Sequence, residues 1–312
     1  MDFLPFDELQ KKINDEYYKE RGHGLYSDFK TFGSCEKIAL ANAIEFKSHA
    51  EKHWPDEEIL VYEFGIGNGM FALNFLKNLK ISSRVSYFLC DISEKALSNA
   101  EKKLKDFNVH TKVCDVSEDS LSFFEGAHHI RSNELYDDLP AKIFINKEGT
   151  KEVLFNKKLE RKTIPAENSF IEKMPEGYLI PMNHTAASHL KKCRKYLRSD
   201  GYIDSFDYGF TSINEILRHP SEEWNNSIIR KFGEQITVDV NFMIFEGEKE
   251  PQKDYAERIL GEKLYYAELE QLDYLTKDEV KEKTSELMKH GYPIDFIESG
   301  IEEKDEYFHL RA

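Results

Sequence analysis

The sequence predicts an α/β fold built on a mostly parallel sheet, and two observations lead to this prediction. Short apolar runs alternate with amphipathic helical stretches from residue 59 to residue 206, and such alternation is typical of parallel strands joined by crossover helices. A glycine turn, E-F-G-I-G-N-G at residues 63–69, directly follows the first apolar run and precedes a helical stretch. Strand, glycine turn and helix in this order let the backbone approach a nucleotide-like ligand closely.

The individual elements follow from hydrophobic periodicity and from capping and turn residues. Strands are predicted at 59–62, 85–91, 109–113, 128–132, 202–206 and 307–310. Helices are predicted at 6–18, 35–49, 70–76, 93–104, 186–197 and within the charged stretch 254–290. A hairpin is predicted over 143–155, a turn at 199–201, and a glycine- and aromatic-rich loop at 22–33, of the kind that often lines sites.

The domain organisation follows from where this rhythm holds and where it breaks. Residues 1–50 are predicted to form an N-terminal helical segment, and residues 51–312 to form one domain. The alternation stops at about residues 141–178, where the hairpin pattern predicts an insertion into that domain.

Composition and charge exclude several classes of protein. The chain has 312 residues, of which 40% are hydrophobic and 32% charged, and its four cysteines are scattered without a C-x-x-C pair. No apolar run approaches the ~18 residues of a membrane span, and the acidic N-terminus does not resemble a targeting segment. We therefore expect a cytoplasmic protein with reduced thiols, with neither a zinc site nor a membrane partner.

The formal net charge of −15 bears on the partners of the protein. A surface of this charge repels phosphate backbones, so nucleic acid is not an expected partner. It favours a cationic partner, although solubility alone would also account for it. The oligomeric state does not follow from the sequence.

The glycine spacing distinguishes between two cofactors. Gly65, Gly67 and Gly69 form G-x-G-x-G, whereas a dinucleotide turn requires its third glycine at position 70, where this chain has Met70. An acidic residue, Glu63, stands two positions before the first glycine. This pattern fits S-adenosylmethionine (SAM) better than NAD.

Acidic residues end four successive predicted strands, at Glu63, Asp91, Asp115 and Glu134. Asp91 is predicted to accept bonds from the ribose hydroxyls, and Asp115 from the adenine amino group. Glu63 is predicted to organise the cationic methionine end, directly or through water. Because NAD brings a pyrophosphate, it would prefer a rim free of acids, so the strand tips also predict SAM as the cofactor.

The fourth strand tip, S-N-E-L-Y-D-D-L-P at residues 132–140, is predicted to face the methyl group. Glu134, with Asp137 or Asp138, is placed to hold a guanidinium by paired bonds, and Asn133 completes the predicted catalytic set. An arginine acceptor needs such help, because its pKa lies above about 12 and the cation is not nucleophilic. Two alternatives remain open: methylation of a small molecule or another side chain, and a non-catalytic SAM-binding assembly or interaction protein.

These segments resemble the MidA family of SAM-dependent methyltransferases, whose mitochondrial members assist assembly of respiratory complex I. Residues 132–140 are similar to the family's N-E-F-F-D-A-L-P segment, and residues 63–69 to its E-x-G-x-G-x-G turn. Residues 207–209 match its D-Y-G, where Asp207 either lines the substrate pocket or stabilises a turn. Residues 235–242 resemble its D-L-T-A-x-V-D-F, with Gln235 in place of the leading acid.

The resemblance implies a Rossmann-like class I methyltransferase fold, with a mostly parallel seven-stranded sheet, N-terminal helices and a β-hairpin insertion. It also implies protein-arginine N-methylation, and hence a cationic protein or peptide substrate, with a small-molecule acceptor as the alternative. Since the chain shows no transit peptide, a mitochondrial role is not expected from the resemblance.

Overall fold

The computed structural model describes residues 2–21, 36–232, 235–262 and 307–312. Its strands are β1 (Leu4–Pro5), β2 (Ile59–Phe64), β3 (Val85–Asp91), β4 (Val109–Val113), β5 (Ala127–Asn133), β6 (Lys142–Asn146), β7 (Thr150–Phe155), β8 (Arg161–Pro165), β9 (Leu179–Met182), β10 (Leu197–Phe210), β11 (Ile229–Phe232), β12 (Gln235–Val238), β13 (Val240–Asn241), β14 (Glu248–Pro251) and β15 (Tyr307–Arg311). Its helices are α1 (Phe6–Arg21), α2 (Glu36–His53), α3 (Met70–Asn78), α4 (Glu94–Lys103), α5 (His184–Tyr196), α6 (Ile213–Leu217), α7 (Ser221–Ser227) and α8 (Gln252–Leu260). The loop predicted at 22–33 and most of the charged stretch after residue 262 lie outside the described residues.

The main sheet has the strand order β14-β15-β10-β5-β2-β3-β4, with β13 beside the end of β10. The five strands from β10 to β4 are mutually parallel, whereas β15 runs antiparallel to both of its neighbours. The prediction of an α/β fold with a mostly parallel sheet is confirmed. Counting β13, the described part of this sheet has eight strands, where seven were predicted.

Both faces of the main sheet are covered, which explains why its central strands are almost continuously buried. On one face, helices α2 and α3 pack against the sheet through a core that includes Phe46, Phe75 and Tyr87. On the other face, helix α5 packs against a second core that includes Phe64 and Phe124. This arrangement aligns the carboxyl ends of the parallel strands at one edge, where ligands bind in open α/β sheets.

The turn predicted at residues 199–201 is wrong, because strand β10 continues through it. The pairing with β5 is parallel on both sides of this point, with a register shift between Leu197 and Tyr202. Gly201 allows the continuation, since a Cβ atom there would lie 2.7 Å from the carbonyl oxygen of His128 on β5. The glycine that suggested a turn instead serves a close approach of two backbones.

A second, antiparallel sheet has the order β1-β7-β6-β9, in which β8 also pairs with β7; β6, β7 and β8 lie within the predicted insertion, and β1 and β9 lie outside it. The predicted hairpin is confirmed as β6 and β7. Strand β1 pairs with β7 and strand β9 pairs with β6, so both extend this hairpin into a wider sheet. The core beside this sheet includes Phe6 of α1 and Trp224 of α7. Strands β11 and β12 form a separate two-stranded hairpin.

The described residues also bear on the cysteines, on possible metal sites and on membrane-spanning helices. Cys90, Cys114 and Cys193 are buried and carry free thiols. Within the described ranges, no set of three or more histidine, cysteine and acidic side chains is grouped so as to hold a metal ion. None of the helices described is both long enough and apolar enough to cross a membrane.

Candidate functional site

The glycine turn connects β2 to α3 in a backbone conformation that favours glycine. Gly65, Gly67 and Gly69 have φ angles of 67°, 52° and 71°, in the left-handed region that side chains with a Cβ atom rarely adopt. The amide of Gly65 donates to the carbonyl of Cys90 on β3 at 2.9 Å. The Oδ1 atom of Asn68 accepts from the amide of Met70 at 2.8 Å. The turn is therefore fixed at both ends, to the neighbouring strand and to the start of helix α3.

Two of the glycines also allow close packing. A Cβ atom on Gly69 would lie 2.7 Å from the Cβ atom of Ala100, so this glycine lets α3 and α4 approach each other. A Cβ atom on Gly65 would lie 3.1 Å from Cδ1 of Leu135. Because Leu135 directly follows Glu134, this contact joins the glycine turn to the fourth strand tip.

We expect Gly69→Ala to destabilise the fold by about 1–3 kcal/mol more than Gly126→Ala does, because only the first substitution overpacks a core contact. Gly126 also has a positive φ angle, 83°, but a Cβ atom there meets nothing within 4 Å, so it controls for backbone strain. Urea unfolding of both variants measures the difference. Equal losses of stability would show that the contact with Ala100 relaxes freely.

Glu63 is the penultimate residue of β2, and its side chain points into the core between the sheet and α3. Its side chain is buried, accepts a hydrogen bond from the hydroxyl of Tyr87 and has Oε2 3.9 Å from Nε of Arg131. Burial raises the pKa of Glu63, against the opposing effects of Arg131 and Tyr87. The structure thus gives the carboxyl group two protein partners, and its contact with the methionine end of a cofactor stays a prediction.

Asp91 lies at the tip of β3, directly against the glycine turn. Its Oδ1 atom accepts from the amide of Ser93 at 2.8 Å, and the amides of Ile66 and Gly67 lie close enough to its carboxyl group to lower its pKa. Burial raises the pKa of Asp91 to about 6, and these backbone donors limit the rise. The structure therefore brings Asp91 together with the turn, as the sequence predicted.

Asp115 lies just beyond the tip of β4, the strand that neighbours β3 in the main sheet. Its Oδ1 atom accepts from the amide of Ser117 at 2.9 Å, and its Oδ2 atom lies 3.5 Å from Nζ of Lys11 on α1. Burial raises the pKa of Asp115, but the bonds from Ser117 and the charge of Lys11 outweigh it and lower the pKa overall. Asp115 is thus held as a carboxylate beside the last strand of the main sheet.

The fourth strand tip carries a backbone outlier. Glu134 follows β5 with a φ angle of 47°, and its amide donates to the carbonyl of Phe206 on β10 at 2.8 Å. The hydroxyl of Tyr307 lies 3.5 Å from its Oε1 atom. Non-glycine residues in this conformation cost roughly 1–3 kcal/mol and often occur at functional sites, and at Glu134 the conformation coincides with the segment that carries the predicted catalytic set.

The other predicted residues of this tip are buried. Asn133 and Asp137 are 8% and 4% exposed. Helix α1 supports the loop that connects β5 to β6, in which Asp137 lies. The side chain of Gln10 donates to the carbonyl of Asp137 at 2.8 Å, and that of Asn14 donates to the carbonyl of Asp138 at 3.1 Å. The N-terminal helix thus fixes the loop that carries the predicted catalytic set.

Several residues at this tip were not predicted from the sequence. Arg230, on β11, has its guanidinium carbon 4.5 Å from the ring centroid of Tyr208 and its Nη2 atom 2.6 Å from Oδ1 of Asp239. Tyr307 on β15 packs edge-on against Tyr208, with ring centroids 4.7 Å apart. Tyr208 belongs to the D-Y-G at 207–209, Asp239 to the segment 235–242 that resembles a family pattern, and Tyr307 to the strand predicted at 307–310, but none of these patterns assigns its residue to the site.

Comparisons with protein families and with solved structures bear on the family and the fold of the chain. Residues 40–249 match the family model of S-adenosyl-L-methionine-dependent methyltransferases. A crystal structure of a COG1565 superfamily protein from Burkholderia thailandensis is similar with a TM-score of 0.61 and 17% identity, covering 99% of this chain and 87% of that chain. A second superfamily member from that organism, bound to S-adenosyl-homocysteine, is similar with a TM-score of 0.58 and the same identity and coverage. No curated protein matches the chain.

Proposed function

Because the chain belongs to the MidA-like family of SAM-dependent methyltransferases, we propose that it methylates a guanidino nitrogen of an arginine in a protein or peptide. The observation that carries this proposal is the acidic fourth strand tip. Glu134 stands there in a left-handed backbone conformation, with the buried carboxyl groups of Asp137 and Asp207 close by. Carboxylates in this number suit a cationic acceptor that offers several N–H donors.

The residues at the first three strand tips fit SAM. The positive φ angles of the glycine turn keep side chains away from its backbone, and Asp91 offers a carboxyl group directly beside it. The superfamily member bound to S-adenosyl-homocysteine supports this assignment. On this proposal Asp91 holds the ribose and Asp115 the adenine edge. When bound, SAM supplies an electrophilic methyl group on a sulfonium cation.

The residues at the fourth strand tip are proposed to bind the acceptor and to take up its proton. A guanidinium has no nucleophilic lone pair, so one of its N–H protons must leave as the new bond to carbon forms. Glu134 is the proposed acceptor of that proton, because carboxylates act as general bases when held within hydrogen-bond reach. Asp137 and Glu134 together orient the guanidinium by accepting its N–H groups. Positioning of this kind supplies much of the rate of an in-line displacement.

The affinity for S-adenosyl-homocysteine is expected to fall about tenfold between about pH 7 and pH 5, because only the ionised form of Asp91 accepts bonds from both ribose hydroxyls. The direction follows from the raised pKa of about 6: protonation begins well above the usual range of an aspartate. Calorimetric titrations across this range measure the effect. The variant Asp91→Asn should bind more weakly with a flat profile, and a flat profile for the unaltered protein would contradict the assignment.

The acceptor is tested by transferring a tritium-labelled methyl group from SAM to proteins of a cell lysate. After the lysate is resolved by size and the labelled fraction is hydrolysed, the proposal predicts label in methylated arginine. Label in small molecules, or in a different amino acid, would replace the arginine proposal while leaving the methyltransferase assignment in place. The net charge of −15 supports a cationic substrate.

A further inference from the structure

The carboxyl groups of Asp137 and Asp207 meet at the fourth strand tip. They are 4% and 0% exposed, and each of the two groups influences the pKa of the other. The Oδ2 atom of Asp207 accepts from the amides of Tyr136 at 2.7 Å and Asp137 at 3.3 Å, and its Oδ1 atom accepts from the amide of Tyr208 at 2.9 Å. These bonds fix the carboxyl group of Asp207 in place against that of Asp137.

Two carboxyl groups in buried contact resist double ionisation, because each charge is poorly solvated and repels the other. Burial raises the pKa of Asp207 well above its usual range, and the charges of Asp137 and Glu134 raise it further. Burial raises the pKa of Asp137 to about 6, against the opposing effect of Arg230. Burial and mutual repulsion therefore both disfavour a state in which the two carboxyl groups are ionised together.

Charged and titratable groups from several elements surround the pair. Among the described residues they are Glu134, Tyr136 and Asp138 on the loop after β5, Tyr18 on α1, Arg230 on β11 and Tyr307 on β15. Arg230 also pairs with Asp239, so its charge is shared among several acids. The local field therefore attracts a further cation.

Two buried oxygen atoms indicate where such a cation would donate its bonds. Within the described residues, neither Oδ1 of Asn133 nor Oδ1 of Asp137 has a hydrogen-bond donor, although both side chains are more than nine-tenths buried. Buried acceptors are normally satisfied. These two lie in the segment that also carries Glu134, so a ligand with several N–H groups would satisfy them together.

We propose that Asp207 is a positioning residue, which shares one proton with Asp137 so that the pair expels this proton when a cationic acceptor binds. This inference rests on the proposed function, because an arginine guanidinium is the cation that it invokes. A cation beside an acid favours the ionised form, so the proton passes to solvent and both carboxylates then face the guanidinium. The free protein avoids holding two buried charges, and acceptor binding strengthens as the pH rises.

The shared proton is tested first in the protein without an acceptor. Infrared difference spectroscopy at neutral pH should show the carbonyl stretch of a protonated carboxyl group in the unaltered protein, and Asp207→Asn should remove it. Asp106→Asn, which removes an exposed carboxylate, is the control and should leave the band unchanged. Should Asp207→Asn not fold, Asp137→Asn removes the other member of the pair and should remove the same band. If the band is absent from the unaltered protein, or if neither substitution lowers its intensity relative to the unaltered protein, the proposal is overturned.

Proton release is tested by calorimetry with acetyl-arginine-amide and saturating S-adenosyl-homocysteine, in two buffers with different heats of ionisation. We expect about one proton released per acceptor bound by the unaltered protein and close to none by Asp207→Asn. Binding without proton release overturns the coupling. If acetyl-arginine-amide does not bind at all, the arginine acceptor is contradicted, whereas the infrared band still decides whether the pair shares a proton.

Discussion

Replacing Asp204 by alanine is expected to lower the free energy of unfolding by about 3–5 kcal/mol, the typical cost of removing one partner from a buried ion pair. Asp204 lies in the centre of β10 and is 0% exposed. Its Oδ1 atom lies 2.8 Å from Nε2 of His309 and 2.8 Å from Nε of Arg311. Its Oδ2 atom lies 3.1 Å from Nε2 of His129 and accepts from Asn42 at 3.0 Å.

The loss is large because this one carboxylate joins four elements. Its partners come from helix α2, strand β5 and strand β15, and without it their polar groups would be buried unsatisfied. Burial raises the pKa of Asp204, but the charges of Arg311 and His309 outweigh this and hold the pKa well below its usual range. Asp204 is therefore ionised in the folded protein.

A matched control is available on the same strand. Asp200 is partly exposed and lies 2.9 Å from Arg198, and surface pairs of this kind contribute about 0–1 kcal/mol. Chemical unfolding of Asp204→Ala and Asp200→Ala should therefore give clearly different losses. Because the pKa of Asp204 is lower in the folded state, its contribution is complete above the unfolded value of about 4 and fades as the pH falls below it. Equal losses for the two variants would contradict this role for Asp204.

The second large effect is expected at Glu134. The substitution Glu134→Gln should lower the turnover rate by about 10²–10⁴, the usual contribution of a positioned general base, and leave the affinity for SAM unchanged. Glutamine retains the shape and can still accept one hydrogen bond, but it cannot take the proton from the acceptor. Turnover is measured as methyl transfer from labelled SAM, and affinity by calorimetry.

The chain offers a close control for Glu134. Glu148 is also a glutamate with a positive φ angle, 52°, but it lies in the exposed turn between β6 and β7. The substitution Glu148→Gln should leave turnover unchanged, which separates loss of a catalytic carboxylate from backbone effects. If Glu134→Gln also leaves turnover unchanged, Glu134 is not the base, and the acceptor's proton goes elsewhere.

The central strands and the cofactor side of the site could be predicted because their signals are local. Strand β2, the glycine turn and helix α3 are consecutive in the chain. Asp91, at the end of β3, follows the turn at the sequence separation that is typical of a ribose-binding acid. The alternation of strands and helices then predicts which strand ends lie next to each other in the sheet. The prediction at residues 199–201 was wrong because the pattern of a turn cannot reveal that Gly201 packs against the backbone of β5.

The acceptor side was less predictable because distant segments build it. Arg230, Asp239 and Tyr307 follow Glu134 by roughly a hundred residues or more, so no local pattern connects them to the fourth strand tip. Their meeting point is set by the antiparallel pairing of β15 with β10 and by the β11–β12 hairpin. Asp207 was noticed as part of a motif, but its contact with Asp137 depends on the fold.

Calorimetric titration of the protein with S-adenosyl-homocysteine tests the central claim most directly. The row formed by the glycine turn, Asp91 and Asp115 predicts a single saturable site, because these groups are each fixed by hydrogen bonds and follow neighbouring strands at one edge of the sheet. Binding with one equivalent of ligand per chain is the expected result. No binding at high micromolar ligand would contradict the claim that this strand edge is a SAM site, and with it the proposed methyl transfer.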